Sequence, residues 1–155
     1  MRQRIQAVFE GPAGALRLGI DGYQFPHNVD DAWDSNWLIV TGEAVLGGQR
    51  WDFRDPSLTT FELERLADWL DRLVAGAEQP AFCGFTEPNL DFRRLSDQSL
   101  RVAFSLEAQP PWAELKDDFG AHGFEVPIAS GIAAAAQALR QLLALFPVRA
   151  RAPRT

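Results

Sequence analysis

The sequence predicts an α+β fold: a largely antiparallel, twisted β-sheet of about seven or eight strands, with two main α-helices, about 59–75 and 131–146, packed on it. Three observations carry this. Segments before residue 56 and between 81 and 108 alternate apolar with polar residues at the period of a strand. Two other segments repeat apolar residues at helical spacing. The strands also come in runs and do not alternate one by one with helices, which argues against a doubly wound parallel sheet.

Taken in order, Arg4 to Glu10 and Leu16 to Ile20 alternate on either side of "GPAGA", as a hairpin or a pair of edge strands would. A polar connection follows from Gly22 to Asn36, with one proline and no helical period. "WLIVTGEAVL" (Trp37 to Leu46) is a strand, and Gly47-Gly48 is a natural hairpin turn into "QRWDFRD", which Pro56 is expected to end. Thr59 and Glu62 have capping-box spacing and should open a helix. Leu63, Leu66, Ala67, Leu70, Leu73 and Val74 form its apolar stripe, and Gly76 is placed to end it.

Three strand-like runs come next: "AFCGF", "LDFRRL" and "LRVAFSLEA", the last alternating over Leu100, Val102, Phe104 and Leu106. Asp97-Gln98 should turn between two of them, and Pro110-Pro111 should halt the sheet. Ala113 to Gly123 is irregular. Phe124 to Ile128 reads as a short last strand that Pro127 confines to an edge. Ser130 is expected to cap the second helix, with Ile132, Ala136, Leu139, Leu142, Leu143 and Phe146 inward and Pro147 as its stop. The expected organisation is one globular domain over 1–147 and a basic tail over 148–155 that frays as termini do.

Charge and composition bound the function. The net charge is −6, and without Arg149, Arg151 and Arg154 of the tail the remainder holds 12 basic against 21 acidic residues. An acidic body argues against nucleic acid as partner, because phosphate neutralisation needs the opposite sign. It suits a basic protein partner. The single cysteine, Cys83, excludes an internal disulfide and a multi-cysteine zinc site, and with no secretory apolar segment near Met1 it points to the cytoplasm. The most apolar long run, Ile128 to Val148, is interrupted by Ser130, Gln137, Arg140 and Gln141, so it reads as an amphipathic helix and no membrane partner is expected.

No catalytic pattern stands out, and the chain is expected not to be an enzyme and to need no cofactor. The only histidines are His27 and His122, no G-x-S-x-G elbow occurs, and Cys83 in "AFCGF" fits a buried strand thiol. The sharper temptation is "PHNVDDAWDSN": His27, Asp30, Asp31 and Asp34 are hard or borderline metal ligands within one connection. They lack EF-hand and H-E-x-x-H spacing, and a solvated loop with Asp34 or Asn36 making local turn hydrogen bonds explains them as well. Trp37, Trp51 and Trp69 fall inside regular elements and fit the core, whereas Trp33, with Asp31 and Asp34 on either side, is the aromatic best placed for a surface role.

Several fragments together resemble the small bacterial immunity proteins of the WapI type, which neutralise polymorphic toxins delivered between competing cells. They are "GYQFP" (Gly22 to Pro26), "DSNWL" (Asp34 to Leu38), "WDFRDPSLTTFEL" (Trp51 to Leu63), "WL" at Trp69-Leu70, "FTEPNL" (Phe85 to Leu90), Pro111-Trp112 and "LFP" before Val148. Their order carries the resemblance, over roughly Gly22 to Pro147. It implies a non-catalytic intracellular protein that binds a toxin's nuclease-like domain. It transfers no set of binding residues, and the arginine tail and the alanine-rich Ala133 to Ala136 lie outside the family's pattern. Nuclease toxins tend to be cationic, so the expected docking residues are Asp30, Asp31, Trp33 and Asp34, an acidic loop with an aromatic anchor. The alternatives are a small-ligand or protein-binding module without a toxin partner, and an enzyme with a carboxylate site around His27 and Asp31.

Overall fold

The computed structural model describes residues 4–113 and 121–150 of the 155-residue chain. Part of the irregular segment Ala113 to Gly123, and Arg151 and Arg154 of the tail, lie outside the described residues.

Eight strands form, and they divide into two antiparallel four-stranded sheets. The first holds β1 (Ala7–Glu10), β2 (Gly14–Tyr23), β3 (Trp37–Leu46) and β4 (Gln49–Thr59) in chain order. The second holds β5 (Phe82–Cys83), β6 (Leu90–Arg94), β7 (Ser99–Phe104) and β8 (His122–Pro127), also in chain order. The division arises where β4 runs straight into the helix α1 (Thr60–Ala75), which carries the chain off the first sheet before the next strand begins. The α+β class therefore holds, with two packed sheets in place of one.

Turn chemistry sets the register of the β3–β4 hairpin. Gly47 and Gly48 have φ of 59° and 81°, the pair of left-handed residues that a two-residue turn matched to strand twist demands. Leu46 pairs with Gln49 across it. Pro56 does not end β4. Asp55 pairs with Val40 and Leu58 with Leu38, so β4 spends one more residue than β3 there, and the proline sits in that bulge, where no ladder N–H is required.

Helix α1 starts as its sequence demands. The Thr59 N–H donates to Glu62 Oε1 at 2.9 Å and the Glu62 N–H to Thr59 Oγ1 at 3.2 Å, a complete capping box. Gly76, at φ 69°, closes it. Leu63, Leu66, Ala67, Leu70 and Leu73 are buried, but Val74 is not: it is 46% exposed, because the inward face turns past it. The second helix, α2 (Ile132–Leu145), is capped by Gly131 at φ 92° with no side-chain cap bond, so Ser130 does not serve as its cap. Leu106 also leaves the expected alternation: with φ 50° it opens a 3-10 turn, Leu106–Ala108, directly after β7. Pro127 closes β8 at the edge of the second sheet, as expected.

The core is a seam of aromatic rings between the sheets. Phe9 meets Phe92 at 5.2 Å between centroids, Trp51 meets Phe104 at 5.0 Å, and Phe104 lies 6.0 Å from Phe124. α1 packs on α2, and α2 on β1, closing the apolar volume with buried leucines from both helices. Trp37, Trp51 and Trp69 are all buried, and the Trp69 indole N–H donates to the Pro80 carbonyl at 2.8 Å. Cys83 is buried as the strand pattern suggested.

Candidate functional site

The connection between β2 and β3 is built by its own polar side chains. Asp31 Oδ1 accepts from the Trp33 and Asp34 amides, at 2.7 Å each, and the Asp31 amide donates to Asn28 Oδ1 at 3.2 Å. This local bonding launches the 3-10 turn Asp34–Asn36. Asp31, not Asp34, thus makes the local turn bonds, together with Asn36.

Asn36 is fully buried and ties three segments together. Its Nδ2 donates to the Ala32 carbonyl at 2.8 Å and to the Arg149 carbonyl, while its Oδ1 accepts from Thr60 Oγ1 at 2.6 Å and from the Arg149 amide at 2.8 Å. Arg149 completes the clamp. Its guanidinium lies 3.5 Å from the centre of the Tyr23 ring and donates to the Pro26 carbonyl at 3.0 Å, and the Tyr23 hydroxyl donates to the Pro147 carbonyl at 2.6 Å. Burial pushes the Tyr23 phenol up, against the opposing pull of Arg149. Arg149, assigned to a loose tail by sequence, is therefore bonded into the body. The fraying argument fails here because the arginine finds carbonyls and an aromatic face within reach.

On this frame Asp30 and Asp34 are exposed, and Trp33 is 50% exposed, its ring standing edge-on to Trp37 at 5.3 Å. Of the four expected docking residues, only Asp34 joins a larger feature. It lines a cleft of about 390 Å³ with Asp55, Glu87 and Glu107, beside Phe25 and Pro56. The carboxylates come from four separate segments: the loop, β4, the β5–β6 connection and the 3-10 turn after β7. Asn89 holds two of them, its Nδ2 donating to Asp55 Oδ2 at 3.3 Å and to Glu107 Oε2 at 3.2 Å. Asn89 is itself buried, and its Oδ1 has no protein partner among the described residues. Burial raises the Asp55 carboxyl above its usual range, and the negative charges of Glu107 and Glu87 push the same way against the Asn89 hydrogen bond.

Asp55, Glu87 and Glu107 were missed by reading the sequence locally. A signal existed: two of them directly precede prolines, Asp55-Pro56 and Glu87-Pro88, and each lies in a connection or at an irregular strand position, where side chains are free to converge. Among the described residues, no group of three or more His, Cys, Asp or Glu side chains is placed to hold a metal ion, and His27 is exposed. Burial raises the Cys83 thiol to about 11, which suits a core residue and not a nucleophile. No helix among the described residues is long and apolar enough to cross a membrane.

Geometry thus defines an α+β protein of two packed antiparallel sheets that bears a cleft whose charged lining is all carboxylate, with the exposed Phe25 in its wall. Residues 8–147 match the sequence model of the Immunity protein WapI-like family, and the chain belongs to that family. No curated protein matches it. A solved structure of the plant transcriptional regulator PBF-2 is similar at 12% identity and a TM-score of 0.41, over 94% of this chain and 86% of that one, a level of likeness that says nothing about function.

Proposed function

We propose that this chain is a cytoplasmic, non-catalytic immunity protein that neutralises a nuclease-like toxin domain by seating a basic surface of that domain over the carboxylate cleft. The observation that carries the reading is the convergence of Asp34, Asp55, Glu87 and Glu107 from four segments onto one cleft in a protein of that family. Folding brings four like charges together and leaves Asp55 harder to ionise than a free carboxylate. A partner's arginine or lysine would reverse that penalty on binding. Phe25, 43% exposed in the cleft wall, and Trp33, 50% exposed and edge-on to the cleft residue Trp37, supply apolar area of the kind that anchors an interface centre, and the exposed Asp30 adds charge from the same loop. Asp31 acts differently in this reading: it shapes the loop that presents Trp33 and Asp34. Residues 1–147 serve as one binding domain, clamped by Arg149.

The test is co-expression with the toxin encoded by the adjoining reading frame, followed by isolation of the complex and association kinetics over a salt series. The expected result is protection, a stable complex, and an association rate that falls with salt. Neutralising Asp34, Glu87 and Glu107 together should slow association by roughly tenfold or more. Absence of both protection and a complex sinks the proposal. A salt-independent complex unaffected by the triple change would move the interface elsewhere.

A further inference from the structure

A second cleft, larger than the first, carries the opposite charge and lies on the other side of the 84–89 connection. About 700 Å³ in volume, it lies between α1 and the second sheet, and its lining includes Arg65, Arg93, Arg101, Asp91, Phe82 and Phe85. In a chain of net charge −6, three arginines around one cavity are a local reversal.

Their arrangement is specific. Arg93 and Arg101 stand directly opposite one another in the β6–β7 register, and like charges at such positions oppose strand pairing. Neither forms an ion pair within the described residues. The Arg93 guanidinium lies over the Phe82 ring at 5.1 Å, and that of Arg65 over Phe85 at 5.4 Å. A guanidinium lying over a ring is held in place by contacts that use none of its in-plane donors, so most N–H edges stay available to a ligand. Arg65 uses one of them, donating from Nη2 to the Gly84 carbonyl. The Arg101 head rests on β8 at Gly123, where a Cβ would fall 2.7 Å from its Cζ, so the absence of a side chain there is what makes room for it.

The two acids of the cleft do not use up this potential. Glu62 is committed: Oε1 accepts from the Thr59 amide and hydroxyl, and Oε2 from the Thr86 amide at 2.8 Å. Asp91 is half-buried and forms no ion pair with the arginines; burial raises its carboxyl while Arg101 and Arg93 draw it down. Glu62 and Asp91 offset two of the three guanidinium charges and leave the cleft with a net single positive charge. Planar forks held in place with free donor edges are the geometry that receives an oxyanion through two parallel hydrogen bonds.

We propose that this cleft is an oxyanion-binding site, in which Arg93 and Arg101, with Arg65 at the wall, receive a carboxylate or phosphate group. The same chemistry can come from an acidic protein segment or from a free phosphorylated ligand, and the cleft is independent of the carboxylate cleft assigned to toxin docking.

The experiment follows the arginine Nε–Hε resonances of the full chain by NMR at pH 7 and constant ionic strength. One arm titrates inorganic phosphate against chloride, and a second titrates a glutamate-rich peptide. The expected result is a saturable shift at Arg65, Arg93 and Arg101 that chloride does not produce, with the affinity read at the Arg65 resonance weakened about tenfold in Arg93→Gln/Arg101→Gln. Arg65→Lys, which keeps the charge and loses the fork, should weaken it by a smaller factor. Tighter binding of phosphate assigns the site to a phosphoryl ligand, and tighter binding of the peptide assigns it to an acidic segment. Shifts that chloride reproduces, or an Arg65 shift of undiminished affinity in a double variant whose far-ultraviolet dichroism is native, overturn the proposal.

Discussion

Replacing Asn36 by alanine tests whether the β2–β3 connection is a built platform. The side chain is fully buried and makes four short bonds: to the Ala32 and Arg149 carbonyls as donor, and to Thr60 Oγ1 and the Arg149 amide as acceptor. Each is worth about 1 kcal/mol net, and a buried group left unpaired costs about 1–3 kcal/mol. Arg149 and Ala32 are only partly buried, so water recovers part of the loss there. Thr60 is fully buried and recovers nothing. The expected destabilisation is therefore about 3 kcal/mol, which for a chain of this size lowers Tm by roughly 6–12 °C. Urea unfolding followed by tryptophan fluorescence measures the free energy, and amide exchange at Arg149 measures the clamp. The mutation should also release Arg149, so its amide should exchange faster than the helix amides. A loss below about 1 kcal/mol with the Arg149 amide still protected would refute the idea that Asn36 organises the connection.

Trp51→Phe should cost about 2–3 kcal/mol in urea unfolding, since it orphans the buried Ala108 carbonyl that the indole N–H reaches at 3.0 Å and thins the ring seam with Phe104; a change under 1 kcal/mol would place that carbonyl in contact with water. Cys83, with its thiol raised to about 11 by burial, should resist a maleimide at pH 8 in the native protein and react fully in urea; rapid native labelling would contradict the strand packing. Asp55 has its folded carboxyl raised above the unfolded value of 3.8, so the stabilisation it lends is complete below that value and is lost as pH rises through the folded one. Asp55→Asn should therefore gain stability relative to the native chain as pH climbs from about 4 to 7, and a parallel pair of stability–pH curves would count against the strain assigned to the cleft.

What could be read from the sequence was whatever a short window contains. The capping box at Thr59 and Glu62, the glycine pair at 47 and 48 and the leucine face of α1 are each decided by neighbours within a few residues, and each formed as expected. The misreadings came from windows that were too short. Pro56 looked terminal because its lack of an N–H is a local fact, whereas the bulge that tolerates it depends on the partner strand β3. Ser130 looked like a cap because serine often is, but Gly131 reached the left-handed position first. The eight strands were countable in sequence. How the two sheets meet was not legible there, because it joins rings more than eighty residues apart, Phe9 with Phe92 being one pair.

The same locality explains why the eye-catching loop was only a quarter of the acidic feature. "DDAWD" concentrates its charge in sequence, yet Asp31 spends its Oδ1 on the Trp33 and Asp34 amides and only Asp34 lines the cleft, where Asp55, Glu87 and Glu107 arrive from far along the chain. Net charge misleads in the same way. A total of −6 predicts an acidic surface, but a surface is read by its partner over distances of about 10 Å, the screening length at moderate salt. On that scale the connection 84–89 separates two clefts of opposite sign, with Glu87 facing one and Phe85, Thr86 and Pro88 walling the other. A partner that covers this ridge would meet carboxylates on one side and guanidiniums on the other. Sliding it across the ridge would set like charge against like, so alternation fixes its orientation more firmly than a uniformly acidic face could.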